Sequence, residues 1–122
     1  MKKSIISIAL STSLATCALF STSASAVDGL SANAAVTSNY LWRGLEQTGG
    51  DAAVSGGIDY AGDSGFYVGT WASNATWADG MTYELDLYGG FGGDIGDNLS
   101  YDVGFIYYAY PDETSGDADF SE

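Results

Sequence analysis

Apolar and polar residues alternate with a period of two along much of the chain, which predicts β-strands. The clearest stretch predicts two strands, Thr82–Phe91 and Leu99–Tyr110, joined by a turn at Gly92–Asn98. Each strand has one apolar face, and these faces carry Tyr83, Leu85, Leu87, Phe91, Leu99, Tyr101, Val103, Phe105 and Tyr107. The opposite faces are polar. A sheet with one wholly apolar side is the first expectation.

Three more strands are predicted before this pair, at Leu30–Trp42, Ala52–Tyr60 and Phe66–Ser73. Both faces of the third are apolar enough for lipid, so its orientation stays open. Connections at 43–51, 74–80 and 111–119 alternate with connections at 61–65 and 92–98. This order predicts an antiparallel up-and-down sheet whose short turns and longer loops lie at opposite ends.

Strand length points to a membrane. The predicted strands are close to the roughly 9 to 11 residues that cross a bilayer when tilted. Aromatic residues near the strand ends predict two interfacial girdles, formed by Tyr83, Tyr88, Phe91, Tyr101, Tyr107, Tyr108 and Tyr110. The fold expected is all-β, an antiparallel transmembrane β-barrel.

Five strands cannot close such a barrel, because single-chain bacterial barrels have an even number of strands from 8 upward. Residues 118–122 look like the onset of another strand. We therefore expect 27–122 to be the N-terminal part of a longer barrel domain, with an open sheet edge.

The first 26 residues predict a secretory signal peptide. Lys2 and Lys3 precede an apolar stretch, and small residues end at Ala26, so cleavage is expected between Ala26 and Val27. The chain's only cysteine, Cys17, lies inside this leader. It is interpreted as apolar filler, with a lipoprotein signal as the alternative. Export to the outer membrane of a Gram-negative bacterium is the expected localisation.

Composition narrows the function. Beyond residue 26 the chain carries 16 acidic residues against Arg43 alone, so nucleic acid is not an expected partner. The same region has no His, Cys or Lys, and no arrangement that would separate the pKa values of two carboxyls for acid–base catalysis. We expect neither an enzyme nor a cofactor.

The candidate pore-lining residues are Asp59, Glu84, Asp86, Asp102 and Arg43, with Thr82 and Ser55 beside them. An acid facing lipid at mid-bilayer costs up to ~3 kcal/mol, which favours the orientation that turns these acids inward. They either favour cations or only solvate the interior. Arg43 either enters the pore, anchors at the interface, or pairs locally with Glu46 or Asp51.

Two other patterns have competing interpretations. One is a set of four acids that could hold calcium: Asp112, Glu113, Asp117 and Asp119. Their spacing is not that of an EF-hand, so a solvated acidic loop is the preferred interpretation and no metal ligand is predicted. The run Gly89–Gly93 is interpreted as a strand end and turn, since no lysine follows it as in phosphate-binding loops.

Three stretches resemble the TorF family of porins in Gram-negative outer membranes: Ser38–Gly44 with Gln47 and Thr48, Tyr67–Asn74, and Tyr83–Phe91. The resemblance covers about Leu30 to Tyr110, implies an outer-membrane β-barrel and lends no catalytic residues. Members of that family continue well past residue 122.

The expected function is therefore a porin that lets small hydrophilic solutes, with a preference for cations, diffuse passively across the outer membrane. The alternative is a secreted or periplasmic β-sandwich for binding or adhesion, with its Leu85 and Phe105 faces packed together and metal-binding acidic loops. A narrow, side-chain-filled barrel with a structural role is a third possibility. The oligomeric state stays open.

Overall fold

A computed structural model describes residues 18–114, 116 and 118–122 of the chain. The strands of this part are β1 (Ala18–Val27), β2 (Leu30–Thr37), β3 (Leu41–Trp42), β4 (Leu45–Glu46), β5 (Ala53–Ala61), β6 (Phe66–Asn74), β7 (Tyr83–Ile95), β8 (Leu99–Ala109) and β9 (Phe120–Ser121). The predicted all-β class is confirmed. Within these residues no helix is long and apolar enough to cross a membrane.

One antiparallel sheet contains seven of the strands, in the order β1-β2-β5-β6-β7-β8-β9, and β3 and β4 form a separate small hairpin. The five predicted strands correspond to β2, β5, β6, β7 and β8, so the up-and-down order is confirmed. The sheet is not closed, as expected. Its edges are β1 on one side and the short β9 on the other.

The registers give the sheet two chemically different faces. The apolar face carries, among others, Val36, Val54, Ile58, Tyr60, Phe66, Val68, Leu85, Leu87, Phe91, Val103, Phe105 and Tyr107. The polar face carries Ser31, Asn33, Ser55, Asp59, Tyr67, Trp71, Ser73, Glu84, Asp86, Tyr88, Asp102, Ile106 and Tyr108. This settles the orientation of β6, which points Tyr67 and Trp71 to the polar face.

Most of the large apolar side chains on the apolar face are exposed. Val103 is the extreme case, with 71% of its surface accessible. Leu85 and Phe105 project from the same face of one sheet, since β7 and β8 are direct neighbours. No second layer covers this face within the described residues.

Connections at the two ends of the sheet differ more than the sequence suggested. Turns at 28–29, 62–65 and 96–98 lie at one end, and the connections 38–52, 75–82 and 110–119 lie at the other. The predicted turn at Gly92–Asn98 was too long, because β7 continues to Ile95. Gly89–Gly93 therefore lies inside a strand and does not end it.

The N-terminal part bears on the predicted leader. Its residues 1–17, including Cys17, lie outside the described residues, whereas β1 runs across the predicted cleavage site between Ala26 and Val27 and pairs with β2. Cleavage there stays a prediction. At the other end, the onset of a strand expected at 118–122 is confirmed by β9, which pairs Phe120 with Tyr108.

The predicted strand Leu30–Trp42 was too long. β2 ends at Thr37, and the β3–β4 hairpin turns at Arg43, a non-glycine residue with a left-handed φ of 50°, and Gly44. The hairpin and the neighbouring loops enclose a small core at the loop end of the sheet. Its buried members are Ala75, Met81, Tyr108 and Tyr110, with Ala78, Ile106, Ala118 and Phe120 packed against them.

Candidate functional site

Four of the five candidate pore-lining residues lie on the polar face of the main sheet. Asp59 is on β5, Glu84 and Asp86 are on β7, and Asp102 is on β8. They form two groups. Asp59 and Asp102 lie in the half nearer the short turns, and Glu84 and Asp86 lie near the loop end.

Asp59 is held by Tyr88, which comes from a strand two positions away. Tyr88 on β7 reaches over Gly69 of β6, and its hydroxyl donates to the Oδ1 atom of Asp59 on β5. Gly69 is required for this crossing: a Cβ atom there would lie 2.5 Å from Asp59 Oδ1 and 2.5 Å from the Tyr88 ring. The Tyr88 ring therefore occupies the space that a side chain at position 69 would fill.

Asp102 is held in the same way from the opposite direction. Tyr67 on β6 crosses Gly90 of β7, and its hydroxyl donates to Asp102 Oδ1 on β8 at 2.7 Å. A Cβ atom on Gly90 would lie 2.6 Å from Tyr67 Cζ, and one on Gly104 would lie 2.5 Å from the Tyr67 hydroxyl. We call these two arrangements the tyrosine brackets.

Glu84 is buried, with only 1% of its surface accessible, and it accepts two phenol hydrogen bonds. Tyr40 donates to Oε1 at 2.7 Å, and Tyr110 donates to Oε2 at 2.6 Å. Burial, and then the charge and hydrogen bond of Glu84, raises the pKa of Tyr40 above its ordinary value. The pKa of Tyr110 rises for the same reasons. Both phenols therefore keep their protons, and these hydrogen bonds, to a higher pH than a free tyrosine does.

Asp86 differs from the other acids because no tyrosine reaches it. Its side chain is 6% exposed, and its Oδ1 atom is buried without a hydrogen-bond partner among the described residues. Asp86 pairs across the sheet with Trp71 on one side and Tyr108 on the other. An unpaired buried carboxylate oxygen is costly, typically by about 1–3 kcal/mol or more when charged.

The connection 38–52 folds over the polar face and covers this second group of acids. Besides its bond to Glu84, Tyr40 packs edge-on against Trp71, with 5.4 Å between ring centroids. Trp42 packs edge-on against Tyr108 and Phe120. The connection is itself held by the bond from Gln47 N to Tyr40 O, at 2.8 Å, and by the buried Thr48. The connection predicted at 43–51 therefore contains the short strand β4 and is held in place by these contacts.

Arg43 lies at the tip of this hairpin. Its guanidinium stacks over the Trp42 ring at 4.4 Å and forms an ion pair with Glu122, with Nη2 2.5 Å from Oε2. The local pairing with Glu46 or Asp51 is not observed, since Glu46 instead accepts a bond from Asn39 Nδ2 at 3.1 Å. Arg43 and its carboxylate partner are both solvent-accessible, so the pair contributes little to stability.

Other predicted polar residues take different positions. Ser55 lies on the polar face opposite Ser73. Thr82 precedes β7 and donates its hydroxyl to Asp112, which lowers the pKa of that carboxyl. Asp119 accepts bonds from the Tyr107 hydroxyl at 2.6 Å and from Tyr110 N at 2.8 Å.

The alternative interpretation of the acidic connection as a calcium loop gains no support from the residues that the structure describes. No group of three metal-binding side chains converges there or elsewhere among them. Asp117 lies outside the described residues.

The residues predicted to form aromatic girdles divide between the two faces of the sheet, and the girdles themselves stay a prediction. Tyr83, Phe91, Tyr101 and Tyr107 project from the apolar face, where Tyr60 and Phe66 join them. Three members were misassigned. Tyr88 and Tyr108 lie on the polar face, and Tyr110 is buried against Trp77 with 5.3 Å between ring centroids. These tyrosines bind acids or fill the loop core instead of forming a belt.

The sequence interpretation identified the acids but missed their donors. In the alternating pattern of β7, Tyr88 falls on the same face as Glu84 and Asp86. Gly69 falls on that face of the neighbouring strand β6, so the two-residue period could have predicted the bracket from Tyr88 to Asp59. Tyr40 and Tyr110 gave none, because both lie in connections whose path depends on tertiary packing.

Comparison with known proteins identifies a family without assigning an activity. No curated protein and no solved structure matches the chain. The profile of one family, described as "Bacterial protein of unknown function (Gcw_chp)", matches residues 21–122, which is most of the sequence. The chain belongs to this Gcw_chp family of bacterial proteins of unknown function.

Proposed function

We propose that this chain forms part of the wall of an outer-membrane pore, with its apolar face against lipid and its polar face lining an aqueous lumen. One observation carries the proposal: a single sheet has a continuous, exposed apolar face opposite a face with carboxylates. Soluble proteins rarely expose apolar patches larger than a few hundred Å². Lipid is the partner that fits a broad, uncharged sheet face.

The composition of the two faces fits this orientation. The described positions of β2 and of β5 to β8 on the apolar face carry no charged side chain, while Asp59, Glu84, Asp86 and Asp102 all project from the other. Tyr60, Phe66, Phe91 and Tyr101 lie toward the short turns, and Tyr83 and Tyr107 lie toward the loops. Aromatic residues at both ends of an apolar band are typical of transmembrane barrels.

The lumen proposed here favours cations. Asp59 and Asp102 are held by phenol hydroxyls, which are neutral donors and do not cancel the carboxylate charge. Arg43, the one cation of residues 27–122, is paired with Glu122 at the loop end. Rings of uncompensated carboxylates favour cations in pores.

The hairpin 41–46 narrows the loop end of this lumen. Tyr40 and Trp42 hold the connection against the polar face through Glu84, Trp71 and Tyr108. The half nearer the short turns carries the tyrosine brackets, and Asp102 there is exposed. Solutes that pass would therefore be small, and their passage would be passive.

The open edges of the sheet set a requirement for the proposal. In lipid, unpaired backbone groups cost several kcal/mol each, so a membrane-resident form needs partner strands at both edges. Cleavage after Ala26 would remove all of β1 except Val27. Strand β2 would then become the edge of the sheet. Further strands or further copies of the chain would complete the wall.

The first experiment is to express the complete reading frame with its leader and to fractionate the cells. We expect recovery with outer membranes and a folded band on a gel that shifts on boiling. A product that stays soluble without detergent would contradict the proposal and favour the secreted sandwich.

A pair of substitutions on one strand tests the orientation. Val103→Lys places a charge on the apolar face of β8, which for a lipid-facing position costs about 2–4 kcal/mol near mid-bilayer. Ser100→Lys adds the same charge on the polar face of the same strand. We expect the first variant alone to lose membrane assembly. Equal tolerance of both would overturn the lipid-facing assignment.

Conductance in planar bilayers separates a pore from a narrow, filled barrel. Stepwise conductance with a cation preference is expected. A protein that fractionates with outer membranes and conducts nothing would leave only the structural role.

A further inference from the structure

Asp86 and Glu84 form the most deeply buried acidic pair of the described sheet. They are 6% and 1% exposed, and both project from the polar face of β7 at alternate positions. Glu84 has its two phenol donors, whereas Asp86 Oδ1 is buried with no partner in the described part of the chain. This oxygen needs a positive or proton-donating neighbour that the described residues do not supply.

We propose that Asp86 and Glu84 bind a partly hydrated divalent cation on the lumen side of the sheet. The inference rests on the proposed function, since it assigns a saturable ion site to the lumen of that pore. Hard cations take oxygen ligands, and the cations of the Mg²⁺ and Ca²⁺ class bind carboxylates, neutral oxygens and water. The site offers two carboxylates with phenol oxygens beside them.

The charge of the surroundings supports a divalent ion. Two carboxylates match its charge, and Arg43, the one basic residue of the described part of the chain, is paired with Glu122 instead. No third acid converges on the pair among the described residues, so water completes the coordination. Mg²⁺ in particular keeps several waters and is held by one or two carboxylates.

Tyr40 holds the Glu84 carboxylate of the proposed site in place. Its hydroxyl fixes one oxygen of Glu84, and its ring packs on Trp71, the cross-strand neighbour of Asp86. Such a partner orients a ligating carboxylate without contacting the ion. Loss of a residue that hydrogen-bonds to a metal ligand typically weakens metal binding about 10- to 100-fold.

The test uses Tb³⁺, whose luminescence is excited by nearby aromatic residues. The folded full-length protein in detergent is titrated with Tb³⁺ and then with Mg²⁺ and Ca²⁺ as competitors. We expect saturable emission that both divalent ions displace. Asp86→Asn should weaken binding by more than about tenfold, since it removes a carboxylate that binds the ion and not merely a residue that hydrogen-bonds to such a carboxylate. Glu84→Gln should also weaken it.

Asp94→Asn is the matched control. Asp94 lies on the polar face of the same strand, near the turn at 96–98, so its loss removes the same charge at the far end. It should leave binding unchanged.

Emission that never saturates, or that Asp86→Asn and Asp94→Asn reduce equally, would overturn the site. Absence of saturable binding at pH 8 would overturn it as well. Binding is measured in detergent and conduction in bilayers. A protein that conducts without binding Tb³⁺ therefore refutes this site alone, while one that binds and does not conduct refutes the pore.

Discussion

The Tyr67 hydroxyl donates to Asp102 at 2.7 Å across the strand that separates them. Tyr88 makes the corresponding bond to Asp59 in the opposite direction, so adjacent strands β6 and β7 each supply the tyrosine that crosses the other. Each bracket joins three strands through side chains in addition to the backbone ladder. The rings lie over glycines, where a side chain would collide with them.

Gly69→Ala should destabilise the fold by about 1–3 kcal/mol, the usual cost of overpacking a filled site. The added methyl would lie 2.5 Å from both Asp59 Oδ1 and the Tyr88 ring, so the bracket must open. Urea unfolding of the detergent-folded protein measures the change. Gly62→Ala is the control, because its methyl meets nothing closer than 3.5 Å. Equal stability of the two variants would show that Tyr88 does not need the glycine.

Tyr110→Phe removes one of the two donors to Glu84 and leaves the carboxylate buried. Hydrogen bonds to charged groups contribute about 1.5–3 kcal/mol, and we expect a loss of unfolding free energy in that range. Tyr83→Phe removes a hydroxyl from the apolar face, where it has no hydrogen-bond partner among the described residues, and should change stability little. A similar effect of the two substitutions would show that the Glu84 bond is not stabilising.

The strands of the sheet were predictable because their apolar faces repeat with period two over nine or more residues, as in Tyr83–Phe91. The position of Glu84 and Asp86 on the face opposite Leu85 followed directly. The same pattern placed Asp59 and Asp102. Local alternation was enough wherever one face is apolar and the other is not.

Prediction failed where tertiary contacts determine the path of the chain. Tyr40 and Trp42 continue the alternation of β2, yet the strand ends at Thr37 and the chain folds over the polar face. Tyr88 and Tyr108 matched an interfacial belt by position along the strand, but their parity turns them to the other face. The ion pair between Arg43 and Glu122 joins residues that no local pattern connects.

Alkaline pH should destabilise the loop end of the sheet through Tyr40 and Tyr110. Their pKa values are raised in the folded state, chiefly by burial and then by Glu84, whereas unfolded tyrosines titrate near pH 10. Above about pH 10 the unfolded chain therefore loses protons that the folded chain keeps, and stability falls as pH rises. Below that pH their contribution is fully present.

Urea unfolding between pH 8 and pH 11 measures this dependence. The double variant Tyr40→Phe, Tyr110→Phe has neither proton to lose, so its stability should fall less steeply above pH 10 than that of the unsubstituted chain. Parallel curves would mean that these two phenols do not contribute to the alkaline transition.

Neutralising the bracketed acids should reduce the cation preference of the pore while preserving its structure. In the double variant Asp59→Asn, Asp102→Asn each amide oxygen can still accept the tyrosine hydroxyl, so the brackets persist and only the charge is lost. The reversal potential in a KCl gradient should move toward zero, because carboxylates facing a lumen attract cations and repel anions. Asp63→Asn and Asp97→Asn remove the same charge from the short turns 62–65 and 96–98, outside the strands, and should leave the reversal potential nearly unchanged. If the turn variants shift it as much as the bracket variants do, selectivity arises from the overall charge of the protein and not from the polar face.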